Sequence, residues 1–397
     1  MKAVILVAGK GTRMEPLTTD CPKVMLRVAN KPILEHIVNT AKDAGIEGFV
    51  FVTGYLEEQI REYFGDGSKW GTSIDYVPQK EQLGTANAIG YAKGHVGEVF
   101  LVLNGDMLIG QEDLKALLSR TEEALICVKE VENPSDFGVL ETENNKVVRI
   151  IEKPKNPPTN LANAGIYLFR ESIFKFIDLT QPSIRNELEI TDSIQMLIDS
   201  GAPVSYSLLE GRWIDIGYPW DLLKANEGLL KELKGSCEGE VEPNVTIKGE
   251  VAIGKGTIIK NGAYIEGPVI IGENCEIGPN CYIRPSTAIG NRAKVGNAVE
   301  IKNTIMMEGT HVGHLSYVGD SVIGKRCNFG AGTKVANLRH DGKNIKVKVK
   351  GKVIDSGRRK LGVIMGDDVH TGINTSINIG VMMEKDNCTR PGETVLH

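Results

Sequence analysis

Eleven aliphatic residues recur at a strict interval of six: Val241, Ile247, Ile253, Ile259, Ile265, Ile271, Ile277, Ile283, Ile289, Val295 and Ile301. An α-helix repeats every 3.6 residues and a lone strand every 2, so neither produces this ladder. A three-sided left-handed parallel β-helix does, because each hexapeptide forms one face of a coil and turns its aliphatic residue into a shared core. Glycine follows the ladder residue at positions 254, 272, 278, 290 and 296, which implies corners that need a positive φ. Cys275 and Cys281 lie one hexad apart, which places them on successive faces rather than stacked.

The first half has a different grammar. Apolar runs (AVILVA, GFVFVTG, VFLVLNGD, ALICVKEV, AGIYLF) alternate with helical stretches (ILEHIVNTAKDAG, LEEQIREYF, TANAIGYAKGH, LEITDSIQMLIDSG). That order predicts an α/β domain with a parallel sheet covered by helices on both faces. The run VFLVLNGD has no alternation, as expected of a strand buried on both sides. Residues 219–234 read as an amphipathic helix, and GSCEGEVEPN after it is rich in Gly, Pro and acid. The expected organisation is a first domain over 1–225, a linker helix and loop over 226–240, and the β-helix over 241–397.

A chain of 397 residues is long enough for two full cores. No apolar run approaches membrane-span length, and MKAVILVAGKG reads as a strand entering a loop rather than a secretory leader. A net charge of −5 gives no reason to expect nucleic acid. Seven scattered cysteines without a CxxC pair imply reduced thiols in a cytoplasm. Neither a membrane nor a nucleic acid is therefore expected as a partner.

The loop after the first run is Leu6-Val7-Ala8-Gly9-Lys10-Gly11-Thr12-Arg13-Met14, followed by Pro22-Lys23. Glycines where a strand meets a loop let backbone N–H groups approach a phosphate, and Arg13 and Lys23 add two cations. The loop lacks both the GxGxxG spacing of dinucleotide folds and the GK[ST] of the P-loop. Asn104-Gly105-Asp106 ends a buried strand, where ligands bind in open α/β sheets, and Asp106 there can hold a divalent cation. Asp215, in Gly211-Arg212-Trp213-Ile214-Asp215-Ile216-Gly217, is a second carboxylate of this kind. Gln79 follows the run SIDYVP, and its carboxamide can both donate to and accept from a base edge. Gly84-Thr85 opens the next helix.

In this order LVAGKGTRM, PKVML, QLGTA, NGD, IIEKP, NAGIY and WIDIG resemble the sugar-1-phosphate nucleotidylyltransferase family across the first domain. The resemblance implies a Rossmann-like domain in which Ala8, Gly9, Gly11, Thr12 and Arg13 hold a nucleoside triphosphate and Lys23 binds phosphate. It further implies that Gln79, Gly84 and Thr85 hold the base, and that Asp106 and Asp215 coordinate Mg²⁺. Gly138, Glu152, Lys153 and Asn163 would contact the sugar phosphate. In-line attack of a phosphate oxygen on the α-phosphorus needs positioning and charge neutralisation, with Arg13 and Lys23 as the catalytic cations, and no general base.

Where the ladder is interrupted, Arg284-Pro285, Glu300-Ile301-Lys302, the run Gly313 to Asp320 (GHLSYVGD) and Asn328 to Asn337 (NFGAGTKVAN) are similar to the acetyltransferase half of the bifunctional N-acetylglucosamine-1-phosphate uridyltransferase / glucosamine-1-phosphate N-acetyltransferase family. By that likeness Arg284 and Lys302 bind a sugar phosphate, His314 is the base, Tyr317 and Asn328 fix the sugar, and Asn337 lies near acetyl-CoA. Imidazole titrates near neutral pH, which suits removal of an amine proton. Two features depart from the bacterial pattern: Leu338 replaces a tyrosine, and residues 339–360 insert nine Lys/Arg against two Asp, net +7. The insert resembles archaeal members. Its IKVKVKGKV alternation fits a solvated protruding hairpin, while Arg358, Arg359 and Lys360 offer charge for the phosphates of coenzyme A. The implied substrates are sugar 1-phosphates, UTP or dTTP, and acetyl-CoA, acted on by a homotrimer assembled through the β-helix. The competing expectation is a thymidylyl- or uridylyltransferase acting on glucose 1-phosphate, with the β-helix as a scaffold.

Overall fold

A computed structural model describes residues 1–396, and its internal packing divides the chain into two compact units. The first holds Met1–Lys10 and Ile33–Asp215; the second holds Gly11–Pro32 and Ile216–His397. Residues 11–32 and the helix after 220 pack with the second unit.

In the first unit the apolar runs become β1 (Lys2–Leu6), β2 (Gly48–Thr53), β3 (Ser73–Pro78) and β4 (Val99–Asn104). A two-stranded ribbon of β5 (Met107–Ile109) follows, then β6 (Ala124–Glu130), β7 (Val139–Glu143), β8 (Lys146–Ile151), β9 (Leu161–Arg170), β10 (Val204–Leu208) and β11 (Trp213–Asp215), the partner of β5. The nine-stranded sheet runs β3-β2-β1-β4-β9-β6-β10-β8-β7. Strands β1 to β4 pair in parallel, as expected, with α1 (Ile33–Asp43), α2 (Glu57–Phe64) and α3 (Thr85–Gly90) between them. The sheet is not all parallel: β9, the AGIYLF run, is antiparallel to both β4 and β6. The chain between β6 and β9 is the β7–β8 hairpin, not a crossover helix, and without such a crossover a strand returns antiparallel.

The second unit is the left-handed parallel β-helix. Its three faces are sheets of eight, six and eight strands, beginning at Ser236–Cys237, Glu240–Val241 and Thr246–Lys248. Successive coils stack eighteen residues apart, Ile253 on Ile271 on Ile289 and Ile265 on Ile283 on Ile301. From there coils shorten to seventeen, with Ile289 beside Met306 and Glu300 beside Tyr317. The core continues through Met306, Val312, Val318, Ile323, Phe329 and Val335, then after the insert through Met365, Ile377 and Met383. The strict hexad therefore stops at Ile301 although the coil does not.

The glycines after the ladder serve a different purpose from the one expected. Of the five, only Gly278 has a positive φ (97°). A Cβ at Gly254 would sit 2.7 Å from the backbone of Gly272, and one at Gly290 2.6 Å from the amide of Glu308. Tight coil-to-coil stacking excludes the side chain there. The left-handed corners fall instead on Asn274, Asn280, Ser286, Arg292 and Ala298.

The insert forms a hairpin, Lys346–Val349 against Lys352–Asp355, turned by Lys350 and Gly351, both at positive φ. It is docked rather than solvated on both sides. Ile345, Val347 and Val349 are buried, and a Cβ at Gly380 would lie 2.8 Å from Ile345. Helices α4 (Gln111–Leu118), α5 (Ile173–Ile177) and α6 (Ile190–Asp199) belong to the first unit, and α7 (Asp221–Leu230) belongs to the second. Its wholly buried Asn226 accepts from the Ala29 amide (2.9 Å) and donates to the Ser286 carbonyl (2.8 Å). Asn30 reaches the Ile289 carbonyl at 2.7 Å, and Arg27 lies 3.6 Å from Glu308. Residues 11–32 are thereby fastened to the coils.

Candidate active sites

In the first unit the chain leaves β1 at Ala8, whose carbonyl accepts from the Tyr55 amide (3.2 Å) and from Gln82 Nε2 (2.6 Å). Gln82 was not singled out by motif reasoning; only its place in the QLGTA run marks it. A Cβ on Gly9 would meet nothing within 4 Å, so this glycine borders open space. Gln79, at the end of β3, is 8% exposed, and its Nε2 donates to Asn87 Oδ1 (2.8 Å). Gly84 has φ 127°, and a Cβ there would lie 2.5 Å from the Leu188 carbonyl. Thr85 Oγ1 accepts from the Ile190 amide (2.9 Å), which leaves its hydroxyl proton available. Gln79, Gly84 and Thr85 are thus gathered at the start of α3.

Asp106 follows β4, and the antiparallel β5–β11 ribbon sets Asp215 opposite Met107, one residue from Asp106. The two carboxylate-bearing backbones therefore run side by side. Among the described residues no group of three or more His, Cys, Asp or Glu is arranged as a metal cage. A pair of carboxylates is what Mg²⁺ takes when substrate phosphates supply further ligands.

The four expected sugar-phosphate residues converge. A Cβ on Gly138 would lie 3.1 Å from Glu152 Oε2 and 3.5 Å from Asn163 Cβ. The Asn163 amide donates to the Gly138 carbonyl (2.7 Å), and the Lys153 amide donates to Phe137 (3.1 Å) with Lys153 at φ 42°. Asn163 lies where the β9–β6 register shifts, and its Nδ2 donates to the Tyr167 hydroxyl (2.7 Å). Arg185, absent from the sequence reading, contacts Glu152 (3.1 Å) and Glu189 (3.2 Å). Burial, with Glu152 nearby, pushes the Glu189 carboxyl up.

In the second unit Gly11 is left-handed (φ 62°), and a Cβ on it would sit 2.7 Å from Lys23 Cβ. Thr12 opens the short turn Thr12–Met14. Lys23 is 8% exposed, and the Arg13 guanidinium lies 5.3 Å from the centre of the Tyr218 ring. Burial pushes the Asp221 carboxyl up; the Gly217 and Tyr218 amides bound to it, and Lys224 and Lys23, pull the other way.

On the third face of the β-helix, Arg284 pairs with Glu300 (2.9 Å), and Lys302 pairs with Asp320 (3.1 Å). Asn337 Nδ2 donates to the Tyr317 hydroxyl (3.0 Å) and to Asp320 Oδ2 (2.6 Å). Arg284, Lys302, Tyr317 and Asn337 therefore share one face. Asp320, 2% exposed, is the residue that sequence reasoning passed over. His314 ends the second-face strand His311–His314, at the corner made by Leu315 (φ 52°), with its side chain exposed. Asn328 is not brought to Tyr317. It lies on the second face, in register with His311 and bridged to His370. Nor are the insert residues grouped: Arg358 is held by Glu227 of α7 (2.7 Å), Arg359 Nε donates to the Gly342 carbonyl (2.9 Å), and Lys360 pairs by backbone with Leu338.

The profile of the nucleotidyl transferase family matches residues 2–232, and that of the GMPPB C-terminal domain matches residues 265–390. A protein of Methanocaldococcus jannaschii named "Bifunctional protein GlmU" is 46% identical over 383 residues, covering 96% of this chain and 91% of the relative. A "Bifunctional sugar-1-phosphate nucleotidylyltransferase/acetyltransferase" of Sulfurisphaera tokodaii is 44% identical over 399 residues, covering 100% of this chain and 97% of that one. Among solved structures, a UDP-glucose pyrophosphorylase complexed with UDP-glucose is 27% identical with a TM-score of 0.53, covering 58% of this chain and 98% of the other. Among the described residues no helix is long and apolar enough to cross a membrane.

Proposed function

The chain belongs to the family of bifunctional sugar-1-phosphate nucleotidylyltransferase/acetyltransferases, and from that premise we propose that it carries out the last two steps to UDP-N-acetylglucosamine. In the β-helix, acetyl-CoA acetylates glucosamine 1-phosphate; in the first domain, UTP converts the product to the nucleotide sugar and releases pyrophosphate. The observation that carries the acetyl half is the gathering of Arg284, Lys302, Tyr317 and Asn337 on one face of the coil, where a bare scaffold has no need of them.

For nucleotidyl transfer, Gly9, Gly11, Thr12, Arg13 and Lys23 take the triphosphate. Ala8 and Gln82 brace the loop, and Gln79, Gly84 and Thr85 take the base. Gly138, Glu152, Lys153 and Asn163 take the sugar phosphate. An oxygen of the sugar phosphate, already ionised, forms its bond to the α-phosphorus as the bond to pyrophosphate breaks. Asp106 and Asp215 suit Mg²⁺, which when bound offsets charge on the phosphates. In the β-helix, the amine attacks the thioester carbonyl, His314 accepts the amine proton, and coenzyme A leaves as the thiolate. Asn337 faces the acetyl group, and Arg359 and Lys360 are the insert residues left to meet coenzyme A phosphates, since Arg358 holds Glu227.

His314 and Asn328 lie on the second face and the Lys302 cluster on the third, which supports a site shared between copies in a homotrimer. The proposed setting is the cytoplasm. The test is one assay panel: glucosamine 1-phosphate with acetyl-CoA, and N-acetylglucosamine 1-phosphate with UTP or dTTP. Nucleotidyl transfer without any acetylation would reduce the β-helix to a scaffold.

A further inference from the structure

We infer that Asp320 is a positioning residue of the acetyl-transfer site: it orients Lys302 and sets the direction of the hydrogen bonds that end at Tyr317. The inference rests on the proposed acetyl transfer in the β-helix. Asp320 occupies a corner at φ 51°, a conformation that Asp and Asn tolerate and most side chains do not. Its side chain is 3% exposed, and three donors converge on it: Lys302 Nζ (3.1 Å to Oδ2), Asn303 Nδ2 (2.9 Å to Oδ1) and Asn337 Nδ2 (2.6 Å to Oδ2).

An ionised carboxylate only accepts, so each neighbour must turn a donor toward it. For Lys302 this ties the inner side of the ammonium down. The rest of the group, on a side chain 19% exposed, is left for an incoming phosphate. For Asn337 it settles which way the carboxamide points. Both Nδ2 hydrogens are used, one on Asp320 and one on the Tyr317 oxygen, so Oδ1 is the atom left to face a ligand. Tyr317 then accepts from Asn337 and keeps its own O–H to donate to a sugar hydroxyl. Asn303 is oriented by the same rule. Its Nδ2 also reaches Glu227 Oε1 (2.9 Å), which Arg358 holds at 2.7 Å, so α7 and the insert back the cluster from behind. The orphaned Asn303 Oδ1 is what that orientation leaves over.

The test is Asp320→Asn, which preserves volume and the left-handed corner but presents an amide donor to three donors. Calorimetric binding of glucosamine 1-phosphate should weaken by about tenfold or more, and the KM for that sugar should rise with it. The KM for acetyl-CoA should change by less than about threefold, and nucleotidyl transfer should be unchanged, which reports an intact fold. In a Lys302→Met background the effect of Asp320→Asn should shrink, because the carboxylate acts through that ammonium. Should Asp320→Asn not fold, Asn303→Gly removes one donor at a residue already at φ 44° and should weaken binding by a smaller factor, about threefold. Binding unchanged in the folded variant overturns the inference, as does full additivity with Lys302→Met. A wild-type protein that binds the sugar but never acetylates it overturns only the acetyl-transfer reading. One that does not bind it overturns both.

Discussion

Replacing Asn226 with leucine removes a side chain that joins three parts of the second unit. Asn226 sits on α7 with no exposed surface, accepting from the Ala29 amide at 2.9 Å and donating to the Ser286 carbonyl at 2.8 Å. Leucine fills the space and leaves both backbone groups unpaired. A buried unsatisfied polar group costs about 1–3 kcal/mol, so two of them, partly relieved by relaxation, cost about 3 kcal/mol. For a domain of this size that lowers the melting temperature of the β-helix unit by roughly 6–12 °C. The same stretch, residues 11–32, carries Arg13 and Lys23, so the KM for UTP should rise several-fold while the acetyl-transfer rate below the new melting temperature stays within about twofold. Scanning calorimetry and initial-rate kinetics measure both. A melting temperature lowered by less than about 2 °C, together with an unchanged KM for UTP, would refute the claim that this side chain fastens residues 11–32, proposed to hold the triphosphate, to the coils. The same reasoning bears on a fragment ending near Lys234: it lacks the coils that Asn30 and Arg27 grip, so it should bind UTP poorly.

His314→Ala should cut acetyl transfer by about 10²- to 10⁴-fold, as loss of a general base does, and leave uridylyl transfer to N-acetylglucosamine 1-phosphate intact; a normally acetylating variant removes His314 from the mechanism. Asp106→Asn and Asp215→Asn should each lower pyrophosphate release by about 10²-fold or more, about 3 kcal/mol of transition-state stabilisation, with acetylation retained, and wild-type release by either would end the metal assignment. Gly84→Ala places a Cβ 2.5 Å from the Leu188 carbonyl at φ 127°, so nucleotidyl transfer should fall by about tenfold or more; equal activity would mean the loop yields freely. Of the seven cysteines, Cys237 and Cys388 are exposed, while burial pushes the Cys21 thiol up to about 11 and those of Cys281 and Cys327 up to about 12. A thiol reagent should therefore titrate two groups in the native protein and seven in denaturant.

The period of six was written into the chain itself, because each coil corner consumes a fixed number of residues and every face must turn one apolar side chain inward. The loop after β1, the NGD turn and the GHLSYVGD run were legible for a related reason: their chemistry depends on residues close together in sequence. Beyond Ile301 that legibility ends. Shortening a coil from eighteen residues to seventeen shifts the hexad register, and the stacking of Ile289 on Met306 and Glu300 on Tyr317 reveals that the coil continues. The direction of β9 depended on a hairpin replacing a helix upstream, which the apolar pattern of AGIYLF does not encode. In sequence the glycines after the ladder read as left-handed corners, yet most are required by a neighbouring backbone one coil away. Asp320 looked like any corner residue until three donors from other coils were seen to meet on it, and Arg358 looked free until α7 supplied Glu227, 131 residues away. Periodicity and local motifs are properties of neighbours along the chain, and sequence carries them directly. The partner of a buried charge, and the anchor of residues 11–32, are chosen by which distant segments pack together, and that choice exists only once the coils have stacked.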